Sequence, residues 1–114
     1  MHEVRLSAEF NSEFTKLQSK AEKGNGEARY LLEIINKGMA KLMANAEAGK
    51  HVPKKLIPRE YILKYGITNL WKLNLDSYWR LLYTLEGDRV NLFAIVLEVL
   101  DHKDYDRKFG YNTS

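Results

Sequence analysis

What most constrains this chain is a change of hydrophobic period that falls close to residue 69. Before it, apolar side chains recur every three or four residues, the spacing of one helix face; after it, they alternate, the spacing of a half-buried strand. Phe10, Phe14, Leu17 and Ala21 form one such stripe, with Glu9, Glu13, Lys16 and Lys20 between them. Ser7 stands where an N-cap is expected, and Gly24-Asn25-Gly26 closes the helix. A second helix is predicted from about Glu27 to Ala48, striped by Tyr30, Leu31, Ile34, Ile35, Gly38, Met39 and Leu42, with Gly49 as its stop. Residues His2 to Leu6 suit a first strand.

After a mixed connection, Leu70–Asp76, Tyr78–Leu85 and Val90–Leu100 are rich in aromatic and branched residues. Asp76-Ser77 and Glu86-Gly87-Asp88 supply the turns between them. The expectation is an α+β fold of order β-α-α-β-β-β, a small twisted antiparallel sheet with an N-terminal helical hairpin on one face. The 114 residues make one domain, 1–114. There is no cysteine, which excludes disulfides, thiolate metal sites and a cysteine nucleophile. The first residues lack the pattern of a signal peptide and the longest apolar run, Leu92 to Leu97, is too short for a membrane span, so a cytoplasmic protein with no membrane partner is expected.

Alternation assigns faces. Trp71, Leu73 and Leu75 should share one side with Trp79, Leu81, Tyr83 and Leu85, leaving Lys72, Asn74 and Arg80 together on the other. That second face is expected to meet water or ligand. The last strand is apolar at both parities and is expected to be internal; it runs into Asp101-His102-Lys103-Asp104-Tyr105-Asp106-Arg107, dense in groups that move protons or hold phosphate. The formal charge is only +3, but Lys50, Lys54, Lys55, Arg59 and Lys64 stand against the single acid Glu60, a local +4. Such a cluster suits a phosphate-facing patch as well as it suits a solvated connection. His2 and His51 have no carboxylate cluster beside them, so no metal site is expected.

The segment NLWKLNLDSYWRLLYTL, followed after a short turn by FAIVLEVLDHKDYDRKFGY, resembles the RelE/ParE toxin superfamily over about Asn69 to Tyr111. The resemblance implies the toxin component of a type II toxin–antitoxin system, a metal- and cofactor-free endoribonuclease that cuts messenger RNA, on the ribosome in many members. It also implies a small antitoxin protein as partner. Some members instead inhibit DNA gyrase without cutting RNA, and a degenerate, non-toxic member is a third reading. By position, the resemblance gives Arg80 the scissile phosphate and Lys72 proton transfer or charge stabilisation. His102 becomes base or acid, Lys103 steadies the leaving oxygen, and Tyr105 stacks on a base or donates a proton. Asn74, Lys54, Lys55, Arg59, Arg107 and Tyr111 complete the substrate-binding set. Asn74 departs from the family pattern, since ribosome-dependent members often carry a second cation there. The reading requires Lys72, Arg80 and the His102–Tyr105 tail to converge around one hollow.

Overall fold

The computed structural model describes residues 2–88 and 90–110. In chain order the elements are β1 (His2–Leu6), α1 (Ala8–Glu22), α2 (Gly26–Ala44), β2 (Lys50–His51), a short 3-10 turn (Lys54–Leu56), α3 (Arg59–Tyr65), β3 (Trp71–Asn74), β4 (Trp79–Gly87), β5 (Leu92–Asp101) and α4 (His102–Phe109). The strands form one sheet in the order β1-β5-β4-β3-β2, so the last strand is internal as its two-sided apolar pattern predicts.

The sheet is mixed rather than antiparallel, because β1 pairs in parallel with β5. The cause is the short strand β2, whose two residues are too few to show an alternation. A pair of helices returns the chain to the end of the sheet where β1 left it, so the next strand runs against β1. With β2, β3, β4 and β5 each reversing the last, β5 ends up running with β1. Without β2 the count is one shorter and the pair would be antiparallel.

Ser7 performs the capping role its position suggests. Its backbone N–H donates to the Val96 carbonyl at 2.9 Å and its hydroxyl accepts from the Phe10 N–H at 3.0 Å, so the chain leaves the sheet and enters α1 at one residue. Asn25 caps α2 in the same way through Ala28. The second helix ends at Ala44, earlier than its stripe suggests. The reason is Tyr83, whose buried hydroxyl donates to the Ala46 carbonyl at 2.9 Å and accepts from the Gly49 N–H at 3.1 Å. These bonds hold residues 46–49 in a turn beside the sheet. Gly49 has no room for a side chain there: a Cβ would lie 2.5 Å from the Lys72 carbonyl oxygen.

Two cores result. The α1–α2 hairpin covers one face, with Phe10, Ile35 and Leu42 on Leu73, Leu81, Tyr83, Ala94 and Val96. The opposite face is not open to water as alternation alone implies. Val52, Ile57, Tyr61, Ile67 and Leu70 from the connection, with Tyr105 and Phe109 from α4, pack on Leu82, Leu97 and Leu100. The mixed connection and the charged tail each supply a few apolar groups at the right spacing, and these are enough to close a second layer. A bulge opposite Leu82/Tyr83 lets β5 keep both faces apolar. No described helix is long and apolar enough to cross a membrane.

Candidate functional site

The ladder between β3 and β4 pairs Asn74 with Arg80 and Lys72 with Leu82, which places Lys72, Asn74 and Arg80 on one face of the sheet. This is the face that α4 packs against, and α4 brings the tail to it. Asp101 caps α4, accepting from the Asp104 N–H at 2.8 Å. Once helical, Tyr105 and Phe109 form the buried stripe, their rings 4.3 Å apart, and His102 with Asp106 borders that stripe.

Four of the expected site residues meet here. Lys72 Nζ lies 5.2 Å, and Arg80 Cζ 5.8 Å, from the centre of the Tyr105 ring. Arg80 Nη2 is 3.5 Å from His102 Nδ1, and His102 Nε2 is 3.2 Å from Asp106 Oδ2. A guanidinium only donates, so in the neutral imidazole these partners assign the proton to Nε2, which donates to Asp106, and leave the Nδ1 lone pair toward Arg80. Burial, together with the neighbouring Arg80 and Lys50, lowers the Lys72 pKa below that of an ordinary lysine. Neither Lys72 nor Arg80 forms an ion pair with a described carboxylate. The result is a half-buried pair of cations with no described carboxylate in ion-pair contact, next to an exposed histidine whose Nδ1 faces Arg80 and whose Nε2 faces Asp106. Such a group attracts an anion with several oxygens, because neither cation has a described carboxylate in ion-pair contact; Asp76 meets Arg80 through its carbonyl and at longer range through its charge.

The turn that presents Arg80 is itself fixed. Asp76 accepts from the backbone N–H groups of Tyr78 and Trp79 and from the Tyr30 hydroxyl at 2.6 Å. Partial burial pushes its pKa up, but these hydrogen bonds and the Arg80 charge outweigh that and hold it below the ordinary aspartate value. Arg80 also reaches the Asp76 carbonyl at 3.5 Å.

The remaining candidates stand apart. Tyr105 is 4% exposed, so its ring is the floor beneath Lys72 and Arg80, with no open face for a base to stack on. Lys103 is exposed on the far side of α4, as is Arg107, which pairs with Asp104. Lys54 and Lys55 lie in the 3-10 turn and Arg59 at the start of α3, all exposed and none in contact with the Lys72–Arg80–His102 group. Asn74 is exposed beside Arg80. Tyr111 lies outside the described residues. Glu98, on the same sheet face, is occupied: the Tyr61 hydroxyl donates to it at 2.5 Å and Lys108 at 2.9 Å. Burial, and with it the bond to Glu98, pushes the Tyr61 pKa far up.

Asp106 and Lys50 also belong to the group, Lys50 being expected only as part of the basic connection. Asp106 carried a signal, its i,i+4 spacing from His102, which is meaningful only once the tail is known to be helical. Lys50 sits directly across from Lys72, and nothing in a two-residue strand announces such a pairing. Among the described residues no group of three or more His, Asp or Glu is arranged to hold a metal ion. No protein-family model, no curated protein and no solved structure matches this chain.

Proposed function

We propose that the Lys72–Arg80–His102 face binds the phosphodiester backbone of RNA and cleaves it without metal or cofactor, in the manner of a RelE-type toxin. The observation that carries the reading is the convergence of Lys72, Arg80 and His102 around Tyr105 with no described carboxylate in ion-pair contact with either cation. The helical hairpin followed by a meander, the arrangement that the resemblance implies, also supports it.

Metal-free cleavage of RNA needs a base for the ribose 2′-hydroxyl, cations for the charge that develops on phosphorus-bound oxygens, and a proton for the departing 5′ oxygen. In this reading Arg80 turns its fork from His102 to two phosphate oxygens. His102 Nδ1, released from that contact, takes the 2′-hydroxyl proton, while Asp106 holds the ring and stabilises the imidazolium that forms. The 2′ oxygen bonds to phosphorus and the bond to the 5′ oxygen breaks, leaving a cyclic phosphate. Lys72, whose environment already favours giving up a proton, supplies that proton to the departing 5′ oxygen.

The test is induced expression followed by mapping of messenger ends, with purified protein assayed on RNA alone and on programmed ribosomes. Arg80→Ala and His102→Ala should each reduce cleavage by about 10²–10⁴-fold while retaining a native circular dichroism spectrum. If both variants cut as well as the parent, these roles are wrong. Growth arrest with intact RNA and blocked DNA supercoiling would replace the proposal with a gyrase inhibitor.

A further inference from the structure

A groove of about 660 Å³ lies elsewhere, along an edge of the sheet, and it follows from how β1 ends. The parallel pairing of β1 with β5 stops at Leu6 opposite Val96, where Ser7 turns the chain away into α1. Strand β5 continues to Asp101, so residues 97–101 have β4 on one side and no strand on the other; the Leu97 carbonyl accepts from the Ser7 and Tyr65 hydroxyls, each at 3.4 Å, so the open edge lies beyond it. The vacant lane is walled by Phe10, Phe14 and Leu17 of α1 and by Tyr65 of α3, with Leu97 and Val99 on its floor. Glu9 and Glu13 of α1 stand along its rim, both exposed, with the Lys16 ammonium 3.8 Å from Glu13. Glu98, the third acid, is satisfied by Tyr61 and Lys108, and Lys64 is the only cation in the lining.

We infer that this lane accepts an extended segment of a partner protein, added to the sheet as a further strand beside β5, with basic and aliphatic residues in alternation. An unpaired edge is the usual template for strand addition, and flanking helices confine where the incoming chain can lie. The alternation follows from the two walls. Side chains facing α1 meet apolar rings with carboxylates beyond them, which suits a lysine or arginine whose stem covers Phe14 and whose head reaches the rim. Glu9 and Glu13 are one helical turn apart, about 6 Å, close to the roughly 6.6 Å between alternate residues of a strand, so two cations can reach both acids. Side chains facing α3 meet Tyr65 and Leu97, which suits valine or isoleucine. The fit is to a basic partner even though this chain is itself net positive.

The experiment uses the full chain, labelled with nitrogen-15, and the blocked peptide Arg-Val-Arg-Val-Arg. Titration should shift the amides of Leu97 to Asp101 and of the first turns of α1, and slow exchange of the β5 amides. The Glu9→Lys, Glu13→Lys double variant changes two exposed positions without touching either core, and should weaken binding by about fivefold or more. A peptide with Glu in place of Arg should not bind, and one with alternate backbone nitrogens methylated should bind at least tenfold more weakly if strand hydrogen bonds form. Equal binding of the methylated peptide would overturn strand addition. So would the absence of shifts at millimolar peptide, or self-association of the chain through the same β5 amides, which would make a second copy the occupant. None of these outcomes depends on RNA cleavage.

Discussion

Replacing Lys72 with methionine should stabilise the fold, and the size of the gain can be worked from the geometry. The Lys72 ammonium and the Arg80 guanidinium lie 5.2 Å and 5.8 Å from the centre of one ring, so they are no more than about 11 Å apart. At that limit their repulsion is about 0.4 kcal/mol in bulk water and about 1.5 kcal/mol at an effective dielectric of ~20. Lys72 is half-buried at a sheet face, and solvent screening pulls the figure toward the lower end. A gain of about 0.5 kcal/mol is expected, a rise of roughly 2–3 °C in melting temperature for a domain of this size. Methionine keeps the stem that lies over Tyr105 and removes the charge, and its thioether replaces the ammonium's attraction to the ring with a contact of similar size.

Salt and pH give the controls for that experiment. The lysine's pKa is lowered on folding, so the unfolded chain holds the proton more tightly. Its cost to stability is present in full at neutral pH and is relieved as pH rises through the folded value toward the ordinary lysine value of about 10.4. The melting difference between Lys72→Met and the parent should therefore shrink with rising pH. It should also shrink in ~1 M salt, where the Debye length falls to about 3 Å. Differential scanning calorimetry across both series is the assay. A variant that melts below the parent at low salt, or a gain indifferent to both variables, would refute the electrostatic argument. Under the proposed function the same change lowers cleavage, so a more stable protein would be a less active one.

Three further changes probe the fold. Gly49→Ala should destabilise by about 1–3 kcal/mol in a denaturant titration, because the new methyl meets the Lys72 carbonyl and the Tyr83 hydroxyl, neither of which can move cheaply. Gly38→Ala should melt no lower than the parent: its methyl meets chiefly the end of the Leu75 side chain, and alanine favours the helix by up to about 1 kcal/mol. Tyr61→Phe removes the 2.5 Å bond to Glu98 and should cost about 1.5–3 kcal/mol; an unchanged denaturation midpoint would mean that Lys108 alone satisfies the carboxylate.

The parts of the fold that were legible in the sequence are those with a sustained period. The α1 stripe, the α2 stripe and the meander each repeat their spacing over several residues, and alternation placed Lys72, Asn74 and Arg80 on one face. What escaped was built from too few residues to repeat. Strand β2 is two residues long, and yet it decides whether β1 and β5 run together. Helix α3 contributes Tyr61 to the second core, and α4 contributes Tyr105 and Phe109, the two rings that stand out in a charged tail whose helix is too short to show a period. For the same reason the site's electrostatics were half readable: the cations could be assigned to a face, but not the layer that partly buries them, nor Lys50 and Asp106 beside them.

The hydroxyl of Tyr83 belongs to the core under the helical hairpin, yet its influence crosses the sheet. By tethering Ala46 and Gly49 it delivers the chain to β2 in the register that sets Lys50 across from Lys72. An oxygen atom sealed away from solvent thus governs how densely positive charge is gathered on the opposite side. Under the proposed function, substitutions in what looks like inert packing would retune the affinity of that surface for anions while leaving every one of its own side chains in place.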